Sequence, residues 1–283
     1  MAVKIKDNKR YIVGEKWVME KRDKLVPVVF AGFTVAAGFI GKAVDMVLNG
    51  QTEGQSLGML IWLLLPLLVS IIIRVTNKGY YEPVGFKPDF AKNIKIYGIA
   101  LFIYPLITLV STRTAYHFKL LTVGELDKTI IGAVLVSAFI KNIVEEVTWR
   151  GNMVPFFEKT GWNDYLIYLS TGLIWSCWHI PYYLFYIGID DSLKLKTIIS
   201  GIVVMVLWTP LYVEVRRATK SFIPAYLLHV TEELIASLIF APIGAYELEK
   251  TYDLFMNPVN GIIPVVFIFV LGMKLRERRI SQK

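Results

Sequence analysis

Two pairs of adjacent glutamates, two histidines, a lysine and an arginine stand inside stretches that are otherwise apolar. Lys141, Glu145, Glu146 and Arg150 share one stretch, His179 lies in a second, and His229, Glu232 and Glu233 lie in a third. A charge in the middle of a membrane helix costs about 2.5–3.5 kcal/mol even on insertion scales, so such groups usually face the bundle interior and mark a site. Spacing separates their roles. Glu146 and Arg150 are four residues apart, share a helical face and can form an ion pair. Glu145 is turned about 100° from Glu146, so one carboxylate can be neutralised while its neighbour points elsewhere. Trp149 is one turn from Glu145 and can screen it from lipid; Lys141 is one turn the other way and can pair with it. A carboxylate starved of water can work as general base or acid near neutral pH. His229 and Glu233 again share a face, and Glu232 falls off it. Pro181, two residues after His179, is expected to kink its helix, and irregular backbone at membrane depth tends to line cavities. His117 reads as a solvated loop residue, and Cys177 as packing rather than a nucleophile. The plainer alternative is that the whole set only pairs and holds helices together.

The elements that must carry these residues are membrane-spanning helices. Leu57–Ile73, Thr197–Val213 and the 25 residues Tyr165–Ile189 contain no Asp, Glu, Lys or Arg, and a span needs roughly 20 apolar residues. Eight spans are expected, at about 26–48, 57–75, 95–113, 129–156, 164–188, 196–213, 221–243 and 257–274. The predicted fold is an all-α polytopic membrane helix bundle with its site inside the membrane. Residues 1–24 read as a cytosolic, membrane-surface segment, 25–275 as the transmembrane domain with the polar motifs within 140–235, and 276–283 as a basic cytosolic tail. An even number of spans puts both termini on one side. That side collects 22 Lys and Arg against 6 on the other, which places both termini in the cytosol of an integral, plasma-membrane protein.

The same count accounts for the net charge of +8 without a nucleic-acid partner. Composition excludes disorder, collagen and a disulfide scaffold, and one cysteine in 283 residues cannot form an internal disulfide. Continuous rather than alternating apolar runs argue against a membrane β-barrel. The charged first 24 residues do not read as a secretory signal peptide.

Glu145-Glu146-Val147-Thr148-Trp149-Arg150 matches EExxxR. Trp175 to His179 approximates FxxxH with Trp for Phe, and His229 to Glu233 approximates HxxxN with Glu for Asn. Three such motifs in this order resemble the CPBP family of intramembrane proteases, which includes type II CAAX prenyl endopeptidases and bacteriocin-processing and self-immunity proteins. Gly85-Phe86 and Ser221-Phe222-Ile223-Pro224-Ala225 also look like family surroundings. The resemblance implies an eight-helix enzyme in which Glu145 activates water and Glu146 with Arg150 holds the site together. It implies that His179 and His229 position water, stabilise the oxyanion or bind a metal. At the family Asn position stands Glu233, which when ionised cannot donate a hydrogen bond.

The expected function is intramembrane endopeptidase: hydrolysis of a peptide bond by glutamate-activated water, with Glu145, His179, His229 and Glu233 at the site. His179 and His229 with Glu145 or Glu233 match the ligand types of a catalytic zinc, the one cofactor these residues admit, although no HExxH helix is present. No serine or cysteine shows an obvious partnering base. The substrate would be a peptide or protein, either prenylated or a leader or signalling peptide. Two other readings compete: a non-catalytic peptide-binding or immunity relative, favoured by Glu233, and an ion- or proton-coupled transporter, since Glu/His chains also relay protons. No inverted repeat supports the transporter.

Overall fold

A computed structural model of the protein describes residues 13–48, 56–126, 128–188, 190–240 and 245–282. Of the expected cytosolic segment 1–24, residues 1–12 lie outside the described residues and the remainder is the start of the first helix. The chain runs through α1 (Val13–Val47), α2 (Leu57–Thr76) and α3 (Phe90–His117). A broken helix follows, made of α4 (Ile131–Val136), α5 (Asn142–Glu146) and α6 (Val154–Glu158) joined by two π-helical segments, Ser137–Lys141 and Val147–Met153. Then come α7 (Asp164–Phe185), α8 (Asp191–Thr219), α9 (Ile223–Leu238), α10 (Lys250–Met256) and α11 (Ile262–Ser281). The fold is all-α apart from two three-residue strands, β1 (Leu121–Val123) and β2 (Tyr246–Leu248), paired antiparallel.

Each expected span meets a helix. Four segments among the described residues are long and apolar enough to cross a membrane: Lys21–Val47, Leu57–Thr76, Phe90–His117 and Asp191–Thr219. The others fall short for physical reasons. The α4–α6 segment holds four charged site residues, α7 is rich in Trp and Tyr, α9 has only 16 residues, and the second half of α11 is basic. Large aliphatic side chains such as Ile72, Val110 and Ile140 are exposed, while the interior is aromatic, with Trp149, Trp175, Trp178, Tyr104 and Tyr212 fully buried. Apolar groups outside and aromatic and polar groups inside are what a lipid solvent favours.

Polar contacts tie the helix ends together. Asp45, an awkward residue for a span, is buried near the end of α1. It accepts hydrogen bonds from Ser56 Oγ, Gly58 N (2.8 Å) and Tyr186 Oη (2.7 Å), which fastens α1 to α2 and to the end of α7. Just before it, Gly41 and Gly58 let the α1 and α2 backbones touch, because a Cβ on either would strike the other. At the opposite end, Asp164 and Glu214 are clamped by Arg217, Arg276 and Arg279 at 2.7–2.9 Å, joining α7, α8 and α11.

At Pro181 the helix is not interrupted: α7 runs from Asp164 to Phe185. Irregular backbone lies in the helical stretch that carries Lys141 to Arg150, where π-helical turns shift the register of the side chains. His117 is the last residue of α3 rather than part of a loop, and it is exposed.

Candidate active site

The EExxxR segment crosses from α5 into the second π-helical stretch, so its side chains point several ways. Glu146 is fully buried, and its Oε1 accepts from Arg150 NH1 at 2.7 Å and from His229 Nδ1 at 2.9 Å. Arg150 lies between two rings, its guanidinium 4.2 Å from the centroid of Trp175 and 4.3 Å from that of Tyr212. One ion pair thereby joins α5 to α9 and packs against α7 and α8.

Glu145 is also buried, at 1 % exposure. Its Oε2 accepts from the indole N–H of Trp149 at 3.2 Å and of Trp175 at 3.4 Å, and its Oε1 lies 3.4 Å from Lys141 Nζ. Lys141 is shared: its Nζ is also 3.1 Å from Glu233 Oε2, and Ser137 Oγ donates to Glu233 Oε1 at 3.3 Å. Trp175 has a reason to replace Phe in the FxxxH pattern, since a phenyl ring has no N–H to give Glu145.

Both histidines are held through Nδ1. His179 Nδ1 donates to the Trp175 carbonyl at 2.9 Å, and a carbonyl can only accept. His229 Nδ1 donates to Glu146, already paired with Arg150. Each ring in its neutral form therefore carries its lone pair on Nε2. Both rings line a cavity of about 560 Å³ together with Lys141, Trp175, Glu232 and Glu233. Glu145 sits behind this wall, reached past Lys141 and Trp175. The cavity extends to Leu193 and Lys196 at the start of α8 and to Asn260 ahead of α11.

The expected metal-ligand set of His179, His229, Glu233 and Glu145 is not assembled. Among the described residues no group of three or more His, Cys, Asp or Glu is placed to hold a metal ion. The Lys141 ammonium occupies the place between the two carboxylates, where it competes with any cation. These residues do not fit a zinc site.

The spacing of residues in the chain gives no sign of several members of this site. Trp175 and Tyr212 as ring partners of Arg150, and the reach of Lys141 beyond the expected Glu145 to Glu233, depend on contacts between distant segments. The two motif surroundings do meet. Ser221 Oγ donates to the Gly85 carbonyl at 2.6 Å, and Phe86 packs edge-on to Phe222 at 5.1 Å.

Residues 127–235 match the family model "Type II CAAX prenyl endopeptidase Rce1-like". The matched segment runs from just before α4 into α9 and contains every candidate residue from Lys141 to Glu233. It agrees with the resemblance carried by the three motifs. No curated protein and no solved structure matches the chain.

Proposed function

We propose that this protein is an intramembrane endopeptidase that cleaves a peptide bond with water activated by Glu145. The observation that carries the reading is a buried carboxylate held by two indole N–H groups beside two histidines of fixed tautomer, in the segment that matches the endopeptidase family. In the proposed reaction, water lies between the Glu145 carboxylate and the Nε2 lone pairs of His179 and His229. Glu145 takes one proton while the oxygen adds to the peptide carbonyl. Collapse of the adduct breaks the C–N bond, and Glu145 returns the proton to the leaving amine.

The oxyanion needs donors. Glu233, paired with Lys141, is suited to accept rather than donate. We assign the donor role to Lys141, whose ammonium has three N–H groups, forms ion pairs with Glu145 and Glu233 and lines the cavity. Glu146 and Arg150 are positioning residues that act through His229. The expected setting is the plasma membrane with both termini cytosolic, eight helices embedded in the bilayer, and a prenylated, leader or signalling peptide as substrate.

One observation favours a second reading, a relative that binds peptides without cutting them: the Lys141 ammonium faces Glu145 itself and opposes its use as a base. Incubating the detergent-purified protein with a peptide library, beside its Glu145→Gln variant, decides between the two. Cleavage by the wild type that is lost in the variant supports the protease. Peptide capture without cleavage supports the binder.

A further inference from the structure

Glu232 is the acidic group of the cavity that the proposed reaction leaves unused. It is only 9 % exposed, lies on the cavity wall, and has no hydrogen bond or ion pair among the described residues. Each of its acidic neighbours has a cation or donor beside it: Glu233 has Lys141 and Ser137, Glu146 has Arg150 and His229, and Glu145 has Lys141 and two indoles. Lys141 is thus committed elsewhere, and Lys196, the other lysine of the cavity, is exposed at its mouth. A carboxylate taken from water without a partner is costly. Trp175, Tyr183 and Trp208 line the same cavity. An unpaired carboxylate in a cavity lined by aromatic side chains suits an organic cation, by charge-assisted hydrogen bonding with cation–π attraction in support.

We propose that Glu232 receives the basic side chain, lysine or arginine, of a residue close to the scissile bond of the peptide substrate. The inference rests on the proteolytic reading and narrows its substrate class. Glu232 is three residues from His229 on α9, so a cation seated on it lies within a few residues of the reacting carbonyl.

The test uses matched fluorogenic peptides that carry lysine, norleucine or glutamate at each position within four residues of a bond the protein cuts. For the wild type we expect kcat/KM roughly tenfold higher with lysine than with norleucine at one position, a ratio in the range of one charge-assisted contact. The ratio should collapse in Glu232→Gln, and Glu232→Lys should turn the preference toward the glutamate peptide. A wild-type ratio near one at every position overturns the proposal, and so does a ratio that survives Glu232→Gln. Fluorescence anisotropy with the same peptides keeps the two hypotheses apart. If nothing is cut but lysine peptides bind more tightly than norleucine peptides, and only while Glu232 is present, proteolysis falls and the cation site stands. Equal binding of the two peptides overturns the cation site.

Discussion

The Glu145 carboxylate and the Glu146–Arg150 pair lie one residue apart, yet they should answer mutation differently. Glu145→Gln keeps the shape and the indole contacts, so thermal unfolding in detergent should change little, while turnover falls by about 10²–10⁴, the usual worth of a general base. Full turnover in this variant would reject Glu145. Arg150→Ala strands Glu146 as a buried charge and should cost about 3–5 kcal/mol, read as a lower unfolding temperature and poor expression. Lys141→Met decides what the bridging ammonium does. As an oxyanion donor its loss should lower kcat by about 10²–10³; a gain in turnover would show that Lys141 silences Glu145. The Glu146–Arg150 contact was legible in the sequence because four-residue spacing is local geometry. The contacts of His229 with Glu146, Trp175 with Glu145 and Lys141 with Glu233 were not, because 83, 30 and 92 residues separate the partners and only the packing of α7 and α9 against the broken helix brings them together.

At the scale of elements, each apolar run fell on a helix among the described residues, and four of those helices are long and apolar enough to cross a membrane. Backbone irregularity was harder to place. Pro181 drew attention to α7, which runs through it without interruption. The two π-helical segments around Lys141 and Arg150 carry no such signature, because they arise from what the side chains must reach: Glu146 toward α9 and Glu145 toward α7. The junction that holds the start of α9 can be tested directly. Gly85 has φ +91°, and a Cβ there would strike the Lys220 carbonyl and Ser221 Cα. Gly85→Val should therefore cost about 1–3 kcal/mol of backbone strain and loosen the Ser221 hydrogen bond. A melting temperature equal to that of the wild type would show that the turn before α9 is free to move.

For the whole molecule, the direction of each helix links the charge count to the mouth of the cavity. The start of α1, the end of α2, the start of α7 and the ends of α8 and α11 gather at one end, through Arg22 with Asn77 and the Asp164–Glu214–arginine cluster. The basic residues concentrate at that end, which is the cytosolic end in the topology proposed from the positive-inside bias. Leu193, Lys196 and Asn260, at the starts of α8 and α11, lie toward the other end and line the cavity. In the proposed topology the opening therefore faces away from the cytosol, and substrate would reach Glu145 from the non-cytosolic side or from the outer leaflet. Cys177 is the only cysteine, so single reporters can be placed in a Cys177→Ser background. Lys196→Cys should react with a membrane-impermeant maleimide on intact cells, and Arg278→Cys only after permeabilisation; both positions are exposed. Labelling of Arg278→Cys alone on intact cells would invert the topology and turn the cavity toward the cytosol, where the substrate would then have to be found.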